Sequence, residues 1–191
     1  MNYDLIAIGA SWGGLEAVSR VLRDLPDDVD AAIVVVQHRG PDSRRGLLEL
    51  LLQTHVERRV LEPVDKQTVE RSRIYVAPAD YHLLVEGGHF ALSVEEHVNY
   101  ARPSIDVFFA SAAEAFRERT IGIVLTGANA DGAAGLAEIK AYGGIAIVQE
   151  PATAARRTMP DAAIAATAVD AVLRLEEISG FLHGLCAPVT L

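Results

Sequence analysis

Three residues of this chain have the chemistry of a nucleophile, a base and an acid that orients the base: Ser11, His38 and Asp131. Each stands just beyond a short apolar run. Ser11 lies in Ile8-Gly9-Ala10-Ser11-Trp12-Gly13-Gly14, His38 ends Val34-Val35-Val36-Gln37-His38, and Asp131 closes Leu125-Thr126-Gly127-Ala128-Asn129-Ala130-Asp131. Gly9-x-Ser11-x-Gly13 fits the sharp strand-to-helix turn that exposes a serine hydroxyl, and the helix after it would aim free N–H groups at an oxyanion. The order Ser, His, Asp differs from the Ser, Asp, His order of α/β-hydrolases, so the constellation would sit on a differently wound sheet. Each residue also has a simpler reading: Ser11 as a helix cap, His38 as a rim histidine bonded to backbone, Asp131 as the N-cap of the next helix. Their joint placement favours the chemistry. The Gly9 to Gly14 turn could instead hold a phosphate, but it matches neither the dinucleotide fingerprint nor the P-loop.

The elements that must position these residues are legible as runs. Leu5 to Ile8, Ala31 to Val36, Ile74 to Ala77, Ile121 to Leu125 and Ile145 to Val148 are strand-length, mostly not alternating, and rich in Val and Ile. That pattern predicts strands buried on both faces, hence a mostly parallel sheet with helices on each side. Helices are expected over Leu15 to Leu25, Arg44 to Thr54, Ser104 to Glu118, Ala133 to Tyr142, Pro160 to Ala166 and Leu175 to Leu185. Leu83 to Val94, broken by Gly87-Gly88, reads as an antiparallel hairpin at one sheet edge. The expected fold is one doubly wound α/β domain over 1–191, whose ligands bind at the carboxyl ends of the strands.

Composition narrows the class. The formal charge of −9 argues against nucleic acid as partner, because phosphate binding needs a basic face. No uncharged apolar run approaches the ~20 residues that span a bilayer, and the N-terminus has no basic region or cleavage site of a secretory leader. The single cysteine, Cys186, cannot form an internal disulfide, which fits a cytoplasmic protein. No Cys/His cluster suggests a metal, and no cofactor is expected.

Around these residues the chain resembles the catalytic domain of CheB-type chemoreceptor methylesterases. The resemblance rests on Gly9-Ala10-Ser11-x-Gly13-Gly14, Gln37-His38, Tyr75-Val76-Ala77-Pro78-x-x-Tyr81-His82, Arg102-Pro103-Ser104-x-Asp106-Val107, Leu125-Thr126-Gly127-x-x-x-Asp131-Gly132, Gln149-Glu150 and Met159-Pro160. These blocks keep the family's order from about Ile6 to Ala165. The resemblance implies a parallel-rich α/β fold, Ser11 as nucleophile, His38 as base, Asp131 as orienter, and the Trp12 and Ala128 N–H groups as oxyanion donors. The implied substrate is a methylated glutamate, or a glutamine, on the cytoplasmic helices of a chemoreceptor. Trp12 stands where the family has a small residue or threonine, Gly127-Ala128-Asn129 replaces its Gly-Met-Gly, and Arg39-Gly40-Pro41 follows the histidine in place of Met-Pro.

His82 and Arg102 are expected beside the substrate cleft; the other histidines (His55, His89, His97 and His183) fit surface, loop or hairpin positions. The family's usual receiver domain is not expected ahead of the first strand, so regulation would fall to a separate receiver-domain or other protein. The competing reading is a CheB-like binding module that holds a signalling partner without turnover.

Overall fold

The structure, a computed structural model, describes residues 3–186. In chain order its elements are β1 (Leu5–Ala10), α1 (Gly14–Arg23), β2 (Ala32–Gln37), α2 (Leu47–Gln53), β3 (Val60–Leu61), β4 (Ile74–Val76), β5 (His82–Glu86), β6 (His89–Ser93), α3 (Ile105–Phe116), β7 (Thr120–Val124), α4 (Ala133–Ala141), β8 (Ile145–Gln149), α5 (Thr158–Ala166), β9 (Ala171–Leu173) and α6 (Leu175–Cys186). Seven strands form one parallel sheet in the order β3-β4-β2-β1-β7-β8-β9. The chain runs outward from β1 to one edge, then returns to lay β7 on the other side of β1. That reversal opens a crevice between the carboxyl ends of β1 and β7, where open α/β sheets place their ligands.

The unbroken apolar runs are explained by two cores, one on each sheet face. Along β1, Ile6, Ile8 and Ala10 enter the core shared with Val18 and Val21 of α1 and Ile178 and Leu182 of α6. Leu5 and Ala7 enter the opposite core, with Phe108 and Phe109 of α3 and Leu136 of α4. Every residue of β1 is buried, so a polar substitution at any of them would bury an unpaired group.

The antiparallel hairpin forms its own two-stranded sheet, β5-β6, and does not extend the main one. One side of β6 is already taken: Phe90 exchanges backbone hydrogen bonds with Lys66 and Gln67, and Val69 donates to Gly88. Its apolar face, Leu83, Val85 and Phe90, packs into the α3 core, and the Ser111 hydroxyl of α3 accepts from the Val85 N–H at 3.1 Å. β3 and β9 were not expected; they are edge strands of two and three residues, too short to carry a period.

Helices α3 and α4 approach closely because Gly135 has no side chain. A Cβ there would lie 2.5 Å from Phe109 Cβ and 3.0 Å from the Asp106 backbone. Alanine is worth about 1 kcal/mol more than glycine in a helix interior, while overpacking costs about 1–3 kcal/mol. Since the obstructing atoms are backbone and Cβ, which cannot rotate away, overpacking should win. Gly135→Ala is expected to lower the free energy of unfolding by up to about 2 kcal/mol, read as a shift of the urea midpoint at constant slope.

Candidate active site

The serine turn begins where β1 ends. The Ser11 N–H donates to the Thr126 carbonyl at 2.9 Å, which ties the turn to the end of β7, and the Gly14 N–H returns to the Ser11 carbonyl at 2.9 Å. Between them Gly13 takes φ +77°, a left-handed conformation that a side chain would disfavour. This turn places Ser11 at the crevice rim. Its hydroxyl makes no hydrogen bond to another described residue.

His38 follows β2, the neighbour of β1, and its N–H donates to the Ala10 carbonyl at 3.0 Å. Its Nε2 lies 2.6 Å from Asp131 Oδ2. With Nε2–H donated to the carboxylate, Nδ1 is left as the basic nitrogen. Asp131 is fully buried, and it is held by more than the histidine. Oδ2 also accepts from the Ile105 N–H at 2.7 Å, and Oδ1 accepts from the Asp106 N–H at 3.0 Å and the Ser104 hydroxyl at 2.8 Å. The carboxylate thus sits on the N-terminus of α3, where free N–H groups and the helix dipole favour negative charge. Burial alone would raise its pKa, but the bonds from His38, the Asp106 and Ile105 N–H groups and Ser104 outweigh it and hold the group at about 2.

Asp131 therefore does not cap its own helix. That role falls to Asp106, whose Oδ1 accepts from the Gly132 and Gly135 N–H groups at 2.9 and 2.7 Å. The two helices exchange acids: Asp106 of α3 caps α4, and Asp131 before α4 caps α3. Burial and then the neighbouring Asp131 charge push the Asp106 carboxyl upward against its own backbone hydrogen bonds. Pro103-Ser104 marks the start of α3 in the sequence, whereas the exchange of acids depends on how the two helices pack.

His82 is only 2 % exposed. As the first residue of β5 it turns inward: Nε2–H donates to the Glu96 carbonyl at 3.0 Å and Nδ1 accepts from the Ser104 N–H at 3.2 Å. It stands behind the cleft wall and braces the serine that braces Asp131. Arg102 is more open, its side chain 17 % exposed. It borders a recess of about 440 Å³ beside His38, shared with Gly40, Pro41, Asn99 and Tyr100. Its guanidinium is engaged by Asp80 and by the Val94 and Glu95 carbonyls at 2.9 Å, so it walls the recess.

Trp12 is 64 % exposed, with the Arg156 guanidinium 5.6 Å above its ring. Its carbonyl accepts from the Thr126 hydroxyl at 2.9 Å. Neither the Trp12 N–H nor the Ala128 N–H finds an acceptor among the described residues, which leaves both donors available to a ligand. Among these residues no group of three or more His, Cys, Asp or Glu side chains is gathered to hold a metal ion. No helix there is long and apolar enough to cross a membrane.

With this geometry in view, known proteins are informative. The family model described as CheB methylesterase matches residues 6–182. A Leptospira interrogans protein provisionally named protein-glutamate methylesterase/protein-glutamine glutaminase is 46 % identical over 94 % of this chain and 93 % of its own length. A Rhodospirillum rubrum protein-glutamate methylesterase/protein-glutamine glutaminase is 39 % identical over 92 % of this chain, which spans 49 % of that relative. The crystal structure of the Thermotoga maritima CheB methylesterase catalytic domain superposes with a TM-score of 0.90 at 32 % identity, covering 97 % of this chain and 100 % of that one. Family model, relatives and fold agree over nearly the whole sequence: the chain belongs to the CheB methylesterase family.

Proposed function

We propose that this protein hydrolyses glutamate methyl esters, and deamidates glutamine, on the cytoplasmic helices of a chemoreceptor, using Ser11, His38 and Asp131. The observation that carries the reading is the 2.6 Å bond from His38 to a carboxylate held ionised in a buried site, one strand away from Ser11. His38 Nδ1 takes the Ser11 proton as Oγ attacks the ester carbonyl carbon. The carbonyl π electrons move onto oxygen, and the Trp12 and Ala128 N–H groups receive the oxyanion. The tetrahedral intermediate collapses, the bond to the methoxy oxygen breaks, and His38 returns the proton so that methanol leaves. Water, deprotonated by His38, then attacks the acyl-serine and releases glutamate and Ser11. On glutamine the leaving group is ammonia. Asp131 stays ionised throughout and stabilises the imidazolium.

The test uses a chemoreceptor labelled in its methyl groups. The protein should release labelled methanol, and a fluorophosphonate should both stop the release and leave its adduct on the peptide carrying Ser11, read by mass spectrometry. Methanol release that persists with Ser11 fully modified would overturn the assignment. Absence of both release and adduct would favour the binding-module reading.

A further inference from the structure

Gln37, the last residue of β2, joins the serine turn to the histidine segment through one side-chain amide. Its Nε2 donates to the Ser11 carbonyl at 2.8 Å and to the His38 carbonyl at 3.0 Å. The backbone ladder between β1 and β2 ends just before this point, with the His38 N–H on the Ala10 carbonyl. Beyond it the two chains separate, one into the serine turn and α1, the other into the loop toward α2. The amide spans the gap as one further rung made from side chain.

Two observations show that the site is built around this amide. Gly14 opens α1 opposite it, and a Cβ at Gly14 would lie 2.1 Å from Gln37 Oε1, so the glycine makes room for glutamine. The amide's orientation is also determined: an end that faces two carbonyl oxygens must be the nitrogen. Oε1 is consequently left buried and without a hydrogen-bond partner among the described residues. Leaving a buried acceptor unsatisfied is costly, because it loses water without gaining a donor. That the fold tolerates it indicates that the position of Nε2 matters more than satisfaction of Oε1.

We infer that Gln37 is a positioning residue that sets the separation and orientation of Ser11 and His38. Ser11 Oγ makes no hydrogen bond to His38 here, so the two are aligned through their backbones, and Gln37 is the side chain that bonds to both carbonyls. The inference rests on the reaction proposed above. Glutamate could not replace it at neutral pH, because a carboxylate would face two carbonyl oxygens with no proton to donate.

The experiment compares Gln37→Met and Gln37→Glu with wild type, measuring methanol release per active site titrated by fluorophosphonate. Both variants should fold, with kcat lowered about 10–100-fold, the range expected of a misplacement near 1 Å, and with KM within about twofold. From pH 8 to pH 5 the kcat ratio of Gln37→Glu to Gln37→Met should rise, because a protonated carboxyl can again donate to one carbonyl. A residue that serves stability alone would lower the yield of active sites and leave kcat per titrated site unchanged; that result overturns the inference. A flat pH ratio overturns it as well. If Gln37→Met does not fold, Gln37→Glu, nearly the same in volume, carries the test with wild type as the reference for the pH ratio. Full activity in Ser11→Ala would signal failure of the underlying reaction. Full activity in the Gln37 variants, with Ser11→Ala inactive, would remove only the inference.

Discussion

Ser11→Ala is expected to reduce methanol release by about 10⁵–10⁶-fold, the loss usual when the nucleophile of a triad is removed. The fold should hardly register the change. Ser11 is held by its backbone, through its N–H on Thr126 and its carbonyl under Gly14 and Gln37, and its hydroxyl bonds no other described residue. The substitution therefore removes the reacting atom without breaking a structural contact, and the melting temperature should move by no more than about 1–2 °C. Residual activity over water would come from the free N–H groups of the turn and from substrate binding. A variant that keeps wild-type release would show that another group attacks the ester. A variant that loses both activity and melting temperature would show the hydroxyl to be a structural cap.

Particular residues show how far such a site can be read before folding. The strands β1, β2, β7 and β8 were legible because burial on both faces demands continuous apolar runs, and Ser11, His38 and Asp131 stood out because each follows one. β3 and β9 escaped because an edge strand of two or three residues has no pattern to detect. The hairpin's turn was visible in Gly87-Gly88, but its packing was not, since that depends on α3 and on backbone from Lys66 to Val69. His82 looked like a cleft residue from its place after a strand-like run. Its ring instead turns inward, a direction set by which face of β5 meets the α3 start. The same limit hid the exchange of Asp106 and Asp131 between two helix N-termini, which requires α3 and α4 to lie side by side. The adjacency of Gln37 and His38 was plain, yet their shared work depends on the register of β1 against β2.

Asp131→Asn tests the other end of the arrangement, and its effects on rate and on stability can be separated by pH. Every bond around the carboxylate comes from a donor: His38 and the Ile105 N–H on Oδ2, and the Ser104 hydroxyl, the Asp106 N–H and the Asn99 amide on Oδ1. An asparagine must turn its NH₂ toward one of these sets. Turned toward Oδ2's partners, it forces His38 into the tautomer with the proton on Nδ1, where the base is needed. Turned toward Oδ1's, it opposes the fixed Asp106 N–H, while the Ser104 hydroxyl can rotate and the Asn99 amide can flip to accept. A fall of about 10⁴-fold in kcat is expected, as for the equivalent change in other triads. The stability effect has a definite sign. The folded pKa of Asp131, about 2, lies below its ordinary value of 3.8, so ionisation stabilises the fold. That contribution, about 2 kcal/mol, is complete above pH 5 and is lost as pH falls through 4 toward 2. Asp106 is shifted upward by burial and then by the Asp131 charge, so its ionisation works the other way and its contribution is lost as pH rises; Asp131→Asn cancels the burial part in the difference from wild type but relieves the charge part, so the difference reads Asp131 less its repulsion of Asp106. The gap in unfolding free energy should be widest at pH 6–7 and should narrow by up to about 2 kcal/mol on approach to pH 2. Urea titrations across that range would decide it. A gap that stays constant with pH would mean that asparagine destabilises by shape alone, and that the helix terminus does not hold Asp131 ionised for His38.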